Sequence, residues 1–492
     1  MPATQYIEVV TFGDVAQVLP DWSASEEARV MRKVDLALIP WLLLCYTALN
    51  IDRQNISAAI IMNAETPAQT MVYQLGLDGS KFNWALSAFF VGYVVLEVPS
   101  NLLITRFNPS RWIARVMTSW GVLVACMGAV RNFTGLVVVR TLVGCMEAGF
   151  SPGTALYLSF WYKKYEVSSR WAYMFGGASV VSSFGGVIAF VVANMDGIAG
   201  LAGWRWLFII EGAASTIFGL LTIFILPDYP QTCKFLEQRE KEMVIGRLPP
   251  TGPSFASGDM VPSEILGAFK DWKMYALSIS LMLTLITVYA FSYFSPSMIL
   301  ALGFSSADSQ LLTVPIALVA AVWILFINWS SERFHDKVFH GIACLLPPIS
   351  GYFLLSYMQG QLPDWGRYGL LFLPTLTNGV IPLIVGLSTM TSKNASRTAV
   401  RSAFTVASGN LGGVIGGQIY RLDDAPLFLR GHFVNGVLLI PVIVLFVLAG
   451  SAIAREGDYA GRRANVAVFE RSGLEYDPMK PNDIRRLPSA RK

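Results

Sequence analysis

Apolar stretches of about twenty residues recur along almost the whole chain, and this recurrence limits its fold more than any motif does. A hydrocarbon layer about 30 Å thick is crossed by roughly 20 apolar residues in helical form. Stretches of that length, joined by short polar loops, fit a membrane bundle better than a soluble core, whose helices are shorter. Composition agrees. The 492 residues are 54% hydrophobic and only 14% charged, where soluble domains carry charge on about a quarter of positions.

Spans are expected near residues 36–60, 83–105, 112–131, 136–161, 171–194 and 205–226, and again near 272–297, 308–330, 338–358, 367–390, 398–420 and 432–454. The plan is therefore an all-α membrane protein of 12 transmembrane helices in two six-helix halves. A tail (1–35) leads into the first half (36–226), a polar linker (227–271) follows, and a second half (272–454) ends in another tail (455–492). The linker holds a charged run from Glu237 to Glu242 and a Pro/Gly/Ser-rich segment from Pro249 to Pro262, with no room for an apolar span. Residues 1–30 lack an apolar stretch behind a basic start, so no cleaved signal peptide is expected and the first span directs insertion.

Basic residues give an orientation. Arg29, Arg32 and Lys33, Arg106 and Arg111, Lys163, Lys164 and Arg170, Arg333 and Lys337, Lys393 and Arg397, and Arg462 and Arg463 all fall on one side of the spans. The other side has scattered Lys81, Arg131, Arg205, Arg367 and Arg421 among the acids Glu65, Asp78, Asp196, Asp364, Asp423 and Asp424. Positive loops stay in the cytosol, which places both termini there, in a multi-pass protein expected at the plasma membrane. The net charge of +4 is spread over loops rather than gathered into an aromatic-lined groove, so nucleic acid is not an expected partner.

The halves carry traces of duplication. Ser169-Arg170-x-Ala172 followed by Gly185-Gly186-Val187-Ile188 returns, 227 positions later, as Ser396-Arg397-x-Ala399 followed by Gly412-Gly413-Val414-Ile415. At the same offset Asn101, Arg106 and Phe107 match Asn328, Arg333 and Phe334. Parallel repeats of this kind suit halves that rock about a solute held between them.

Ionisable groups inside spans are few, and each needs a partner or a wet cavity. On span 1, Asn50, Arg53 and Ser57 share one helical face. Arg53 offers a planar donor fork suited to a carboxylate, or else pairs with Asp52 or an acid on a neighbouring span. On span 4, Arg140 and Glu147 are seven apart with Gly144 between them, nearly two turns and one face. Glu147 is a candidate proton carrier, because burial and a nearby arginine pull an acid's affinity for protons in opposite directions. A static ion pair is the plainer alternative. Glu97 on span 2 is a second candidate for proton coupling or gating, and Arg205 with Glu211 on span 6 fits a helix-end pair. The second half offers uncharged groups: Tyr289, Ser292 and Tyr293 on span 7, Asn378 on span 10 and Asn410 on span 11, able to orient a solute by hydrogen bonds. The ladder Gly409, Gly413, Gly417 reads as a close-packing surface. Asn132-Phe-Thr134 is a sequon on a loop too short to favour glycosylation. The five cysteines show no metal or redox spacing, and no catalytic, metal or nucleotide motif appears, so no enzyme activity, cofactor or metal is expected.

Several segments resemble the anion:cation symporter family of the major facilitator superfamily, and within it the fungal branch of allantoate-permease-like carriers. They are Ala-Leu-Asn-Ile-Asp-Arg-Gln-Asn-Ile at 48–56, Glu-Val-Pro-Ser-Asn-Leu-Leu at 97–103, Arg-Trp-Ile-Ala-Arg-Val-Met at 111–117, and Arg140 to Gly149 with Ser151-Pro152-Gly153. Others are Gly-Trp-Arg-Trp-Leu-Phe-Ile-Ile-Glu-Gly at 203–212, Leu-Pro-Asp-Tyr-Pro at 226–230, Leu-Leu-Thr-Val-Pro at 311–315 and Gly409 to Tyr420. The resemblance implies a major facilitator fold and proton-coupled uptake of a small organic anion, a carboxylate or vitamin such as nicotinate, allantoate, pantothenate or biotin, by a functional monomer. It also implies that Arg140 and Glu147 serve solute or proton coupling. Export of a metabolite, or nutrient sensing on the same scaffold, are the alternatives. Loop 2–3 departs from the superfamily pattern: Arg106 and Arg111, with Arg333 in the matching loop 8–9, are expected at an inner gate, but the usual aspartate is missing.

Overall fold

A computed structural model of the chain describes residues 9–12, 15–18, 22–104, 107–248, 267–334, 336–390 and 395–472. Twelve helical segments follow in the expected order. In the first half they are α1 (Ala24–Ala59), α2 (Lys81–Ile104), α3 (Pro109–Met127), α4 (Phe133–Ser159, with a break at Ala148 and Gly149), α5 (Lys164–Ser182 continued by Gly185–Ala193) and α6 (Gly203–Ile225). In the second they are α7 (Trp272–Leu300), α8 (Ser306–Phe334), α9 (Val338–Tyr357), α10 (Asp364–Ser388, tightened to 3₁₀ at Leu376–Gly379), α11 (Ala395–Gly416) and α12 (Leu429–Ser472). Among the described residues nine of these are long and apolar enough to cross a membrane. The other three, α2, α3 and α11, carry Glu97, Arg111 with Arg115, and Arg401.

Two tails depart from expectation. The first helix starts well before the apolar run, because Ser23 and Glu26 form a capping box that satisfies its free N–H groups. The last helix runs on to Ser472. Before α1, Val9–Phe12 and Val15–Val18 pair as an antiparallel hairpin, Val9 opposite Val18 and Phe12 opposite Val15. Among the described residues this hairpin is the one departure from helical structure and loops.

Packing repeats between the halves. Helix α1 lies on α5 as α7 lies on α11, α3 on α6 as α9 on α12, and α2 on α4 as α8 on α10. The halves meet along α2 with α11, α5 with α8, and α1 with α7. The duplicated glycines sit at these seams. A Cβ on Gly186 would fall 2.3 Å from the Gln310 carbonyl of α8, and one on Gly413 2.3 Å from the Phe90 ring of α2. The expected glycine ladder divides: Gly409 and Gly412 face α7, while Gly413 and Gly417 face α2.

One end of the bundle carries the linker. There the short helix Gln238–Gly246 is pinned to the first half: Glu240 pairs with Lys33, and buried Arg247 pairs with Glu166 and, at 2.9 Å, with Glu27. Asp228, in the segment leaving α6, accepts from the Ser110 hydroxyl at 2.6 Å and its N–H at 3.3 Å, holding the start of α3. Tyr157 donates to the Pro227 carbonyl at 2.9 Å. The 226–230 motif thus ties α3, α4 and α6 together.

The other end is sealed across the halves. Asn83 donates to the carbonyls of Gly417 and Tyr420 at 2.6 and 2.5 Å, and Ser87 to that of Val414 at 2.7 Å. On the opposite seam Gln310 donates to the Ala58 carbonyl at 2.8 Å, Ser306 to that of Ile61 at 2.5 Å, and Glu65 accepts from the Ser306 N–H at 2.7 Å. Asn83 and Gln310 are 227 positions apart, equivalent positions of the two repeats.

Candidate functional site

The central site grows from the contact of α2 with α4. Asn132 caps α4 by accepting from the Gly135 N–H at 2.8 Å, which gives the sequon asparagine a structural task. Two glycines then let the backbones touch. A Cβ on Gly144 would lie 1.9 Å from the Phe89 carbonyl, and one on Gly92 2.1 Å from the Thr141 carbonyl. That approach brings the Phe89 ring under both arginines, with Arg53 Cζ 5.5 Å and Arg140 Cζ 5.0 Å from its centroid. Arg53 also lies 5.0 Å over Tyr93. Ring faces attract cations most strongly where water is excluded.

Arg53 is ion-paired with Glu147 through its Nε. Of the partners open to Arg53, the structure selects the acid on α4, while Asp52 turns away to α3 and α6. Arg53 keeps 15% of its side chain accessible. Arg140, in contrast, is 0% exposed, and its Nε, Nη1 and Nη2 lack a hydrogen-bond partner among the described residues, as does Glu147 Oε2. Tyr289 and Tyr293 of α7 complete the wall, Tyr289 beside Arg53 and Tyr293 beside Arg140. The Tyr293 hydroxyl is buried and unpaired. Tyr289 and Tyr293 stack at 6.2 Å, and Phe90 closes against Tyr289 at 4.6 Å. With the Tyr293 hydroxyl and the Glu147 charge beside it, Arg140 still has N–H donors to spare, and such a donor fork can take a carboxylate.

The family is decided by comparison. Residues 42–417 match the family model described as Major Facilitator Superfamily. The chain belongs to the major facilitator superfamily. Its relatives are transporters rather than enzymes. One, named MFS transporter prlL, from a fungal species (strain NRRL 50135), is 33% identical over 92% of this chain and 90% of its own length. Another, from Agrobacterium vitis and named "Putative tartrate transporter", is 30% identical over 87% of this chain and 92% of its own. Among solved structures, a bacterial homologue of the human lysosomal transporter Spinster, in an inward-facing and unoccupied conformation, superposes with a TM-score of 0.65 at 16% identity, covering 88% of this chain and 99% of that one. That likeness concerns the fold.

Other expected site residues of this facilitator are dispersed. Asn50 is half-buried one turn before Arg53. Asn410 does not stand alone in the cavity: its amide nitrogen donates to both Glu97 oxygens at 3.1 and 3.2 Å, linking α11 to α2. The half-buried Asn378 spends a donor on the Thr375 carbonyl of its own span at 2.9 Å. Arg205 and Glu211 do not pair. Arg205 donates to the carbonyls of Gly128 and Val130 at 2.8 Å and lies 4.2 Å over Trp204, because its place at the start of α6 puts it over the end of α3. Of the inner-gate arginines, Arg106 lies outside the described residues, and Arg111 and Arg333 are exposed without ion pairs among the described residues.

Sequence reasoning passed over Phe89 and Tyr93, the aromatic floor under the arginines. No sequence signal marks an aromatic as a floor rather than as lipid-facing. It also passed over Asn83 and Gln310, whose match at the repeat offset was a usable signal.

Proposed function

We propose that this facilitator carries out proton-coupled uptake of a small organic anion. Arg140 and Arg53 bind the carboxylate, Tyr289, Tyr293, Asn50, Asn378 and Asn410 orient the solute, and Glu147 carries the proton, with Glu97 as a second coupling group. The observation that carries this reading is the buried Arg140 guanidinium without a protein acceptor. Glu147, the acid beside it, is committed to Arg53, and a buried positive charge left short of counter-ions is expensive, which favours an anion supplied from outside. The name of the Agrobacterium vitis relative supports a carboxylate as that ion.

Coupling follows from competition. When Glu147 is ionised it holds Arg53 in the ion pair. A proton on Glu147 releases Arg53 to join Arg140 on the solute, so proton and anion load together. Basic loops support a cytosolic linker end; on that reading the sealed opposite end makes this conformation one closed to the outside, with Arg106, Arg111 and Arg333 at the cytosolic gate. The plasma membrane is the proposed location.

Uptake of labelled tartrate, nicotinate, pantothenate, biotin and allantoate into transporter-deficient cells, with and without a proton uncoupler, tests the proposal. Accumulation of at least one, abolished by the uncoupler, is expected. Faster loss of a preloaded solute with no accumulation of any would replace import by export.

A further inference from the structure

The glycine contact that builds the central site leaves a second feature on the lipid-facing side of the first half. At Gly92 and Gly144 the backbones of α2 and α4 touch. Toward the sealed end a groove of about 360 Å³ lies between the same two helices. Trp84, Ser87 and Val91 of α2 and Phe133, Val137 and Thr141 of α4 line it. Spacings of three and four residues put each set on one helical face. The surface next to the groove is apolar and open: Val95 is 63% exposed, Val138 51% and Leu142 42%. On a membrane-spanning helix such exposure is contact with hydrocarbon.

The walls suit a hydrocarbon chain rather than a polar solute. Thr141 Oγ1 donates to the Val137 carbonyl of its own helix at 2.8 Å. Ser87 Oγ donates to the Val414 carbonyl of α11 at 2.7 Å and accepts from Gln418 Nε2 at 2.8 Å. Both hydroxyls are satisfied within the protein, so the groove presents an apolar lining to its occupant. Its mouth differs. Trp84, near the start of α2, is 57% exposed, as suits an indole at the level of lipid headgroups. Arg131 is exposed two residues before Phe133 and has no ion pair or hydrogen bond among the described residues. The other cations at this end are spent. Arg205, close to Arg131, donates to the Gly128 and Val130 carbonyls and to Gln74. Lys81 donates to Asp78 and to the Gly76 carbonyl, both at 2.9 Å. An unpaired guanidinium at the mouth of an apolar groove complements a phosphate that carries a hydrocarbon chain.

We propose that this groove is a binding site for one phospholipid of the leaflet at the sealed end, with an acyl chain held between α2 and α4 and the phosphate on Arg131. The site stands on its own atoms and does not depend on the identity of the solute. Ser87 is both a wall of the groove and a donor of the seal, so the lipid contacts the side chain that joins the halves, which gives it a route to influence sealing.

The test uses the full-length protein in phosphatidylcholine nanodiscs that contain a trace of phosphatidylcholine with a diazirine in one acyl chain. After photolysis, adducts are mapped by peptide mass spectrometry. Labelling per residue over 84–91 and 133–141 should exceed several times that of Phe433, Val437 and Ile440, which are exposed at a similar depth on α12 and meet only passing lipid. Val91→Trp, which fills the groove from an exposed position, should abolish the excess and leave α12 labelling as it was. Arg131→Gln should lower the excess about fivefold, the contribution of one basic side chain at a headgroup. If Val91→Trp fails to fold, Trp84→Ala, which removes a wall, must lower the same excess. A groove labelled no more than the α12 face, or an excess that these variants leave unchanged, overturns the proposal. So does a diazirine-bearing sterol at equal mole fraction that labels the groove and displaces the phospholipid. None of these readouts involves the central site, so the two sites fail or stand separately.

Discussion

Replacing Arg140 by methionine should make the empty protein more stable while removing its ability to bind an anion. The guanidinium is fully buried and its three nitrogens have no hydrogen-bond partner among the described residues. Unmade buried hydrogen bonds cost about 1–3 kcal/mol per group, and the Phe89 face returns at most about 2 kcal/mol. Replacing a buried ion pair by apolar side chains of similar volume is neutral or stabilising by about 1–4 kcal/mol, an arginine with no ion-pair partner of its own has less still to lose, and the thioether chain of Arg140→Met would rest on the same ring. A gain of about 1–3 kcal/mol for the solute-free protein is therefore expected. A carboxylate at about a hundred times its dissociation constant should stabilise the wild type by about 2.7 kcal/mol and the variant not at all. Unfolding midpoints of purified protein with and without a panel of carboxylates read both quantities. A solute-free Arg140→Met protein that unfolds more readily than the wild type would show that Arg140 is held by the protein itself, and the argument for an external anion would fall.

Three further outcomes follow from the geometry. Asn83→Ala removes two hydrogen bonds of the sealed end and Gln310→Ala one, each worth about 1 kcal/mol, so labelling of a cysteine placed in the central cavity by an impermeant external reagent should speed up about thirtyfold in the first variant and about fivefold in the second. Labelling equal to the parent would exclude these residues from the seal. Gly144→Ala sets a methyl 1.9 Å from the Phe89 carbonyl, and separating α2 from α4 should lower solute affinity more than about tenfold with the protein still inserted; unchanged affinity would show that the Phe89 floor is dispensable. The Lys33 ammonium holds the Glu240 carboxyl below its ordinary value of 4.5. Its contribution to linker docking is then present above that value and lost as pH falls through the lower folded one. Protease cleavage of the linker should rise over that acid interval in the wild type, and Glu240→Gln should be cleaved more readily already at neutral pH.

The fold was legible because its signals are repetitive. Apolar length marked the spans, and the 227-residue offset marked the seams: Gly186 and Gly413, found as a sequence echo, occupy matching contacts between the halves. The central site was only partly legible. Helical spacing put Arg140 and Glu147 on one face, but Arg53 pairs with Glu147, 94 residues away on α4, and nothing local favours that acid over Asp52 next door. Likewise Asn410 and Glu97, read as separate solute and coupling groups, are bonded across a seam. Asp228, which holds the start of α3 from the segment leaving α6, was not legible as a partner of that helix either. Such pairings depend on which helix faces which, and a single chain states that only through repeats.

The most direct measurement is solute accumulation by wild type and Glu147→Gln under an imposed pH gradient in proteoliposomes. One proton carried with a monoanion makes the cycle electroneutral, so each pH unit corresponds to about 1.4 kcal/mol, or about tenfold accumulation. The wild type should approach that ratio, while Glu147→Gln should equilibrate without accumulating and still exchange internal for external solute. Accumulation by Glu147→Gln to the wild-type ratio would contradict the account.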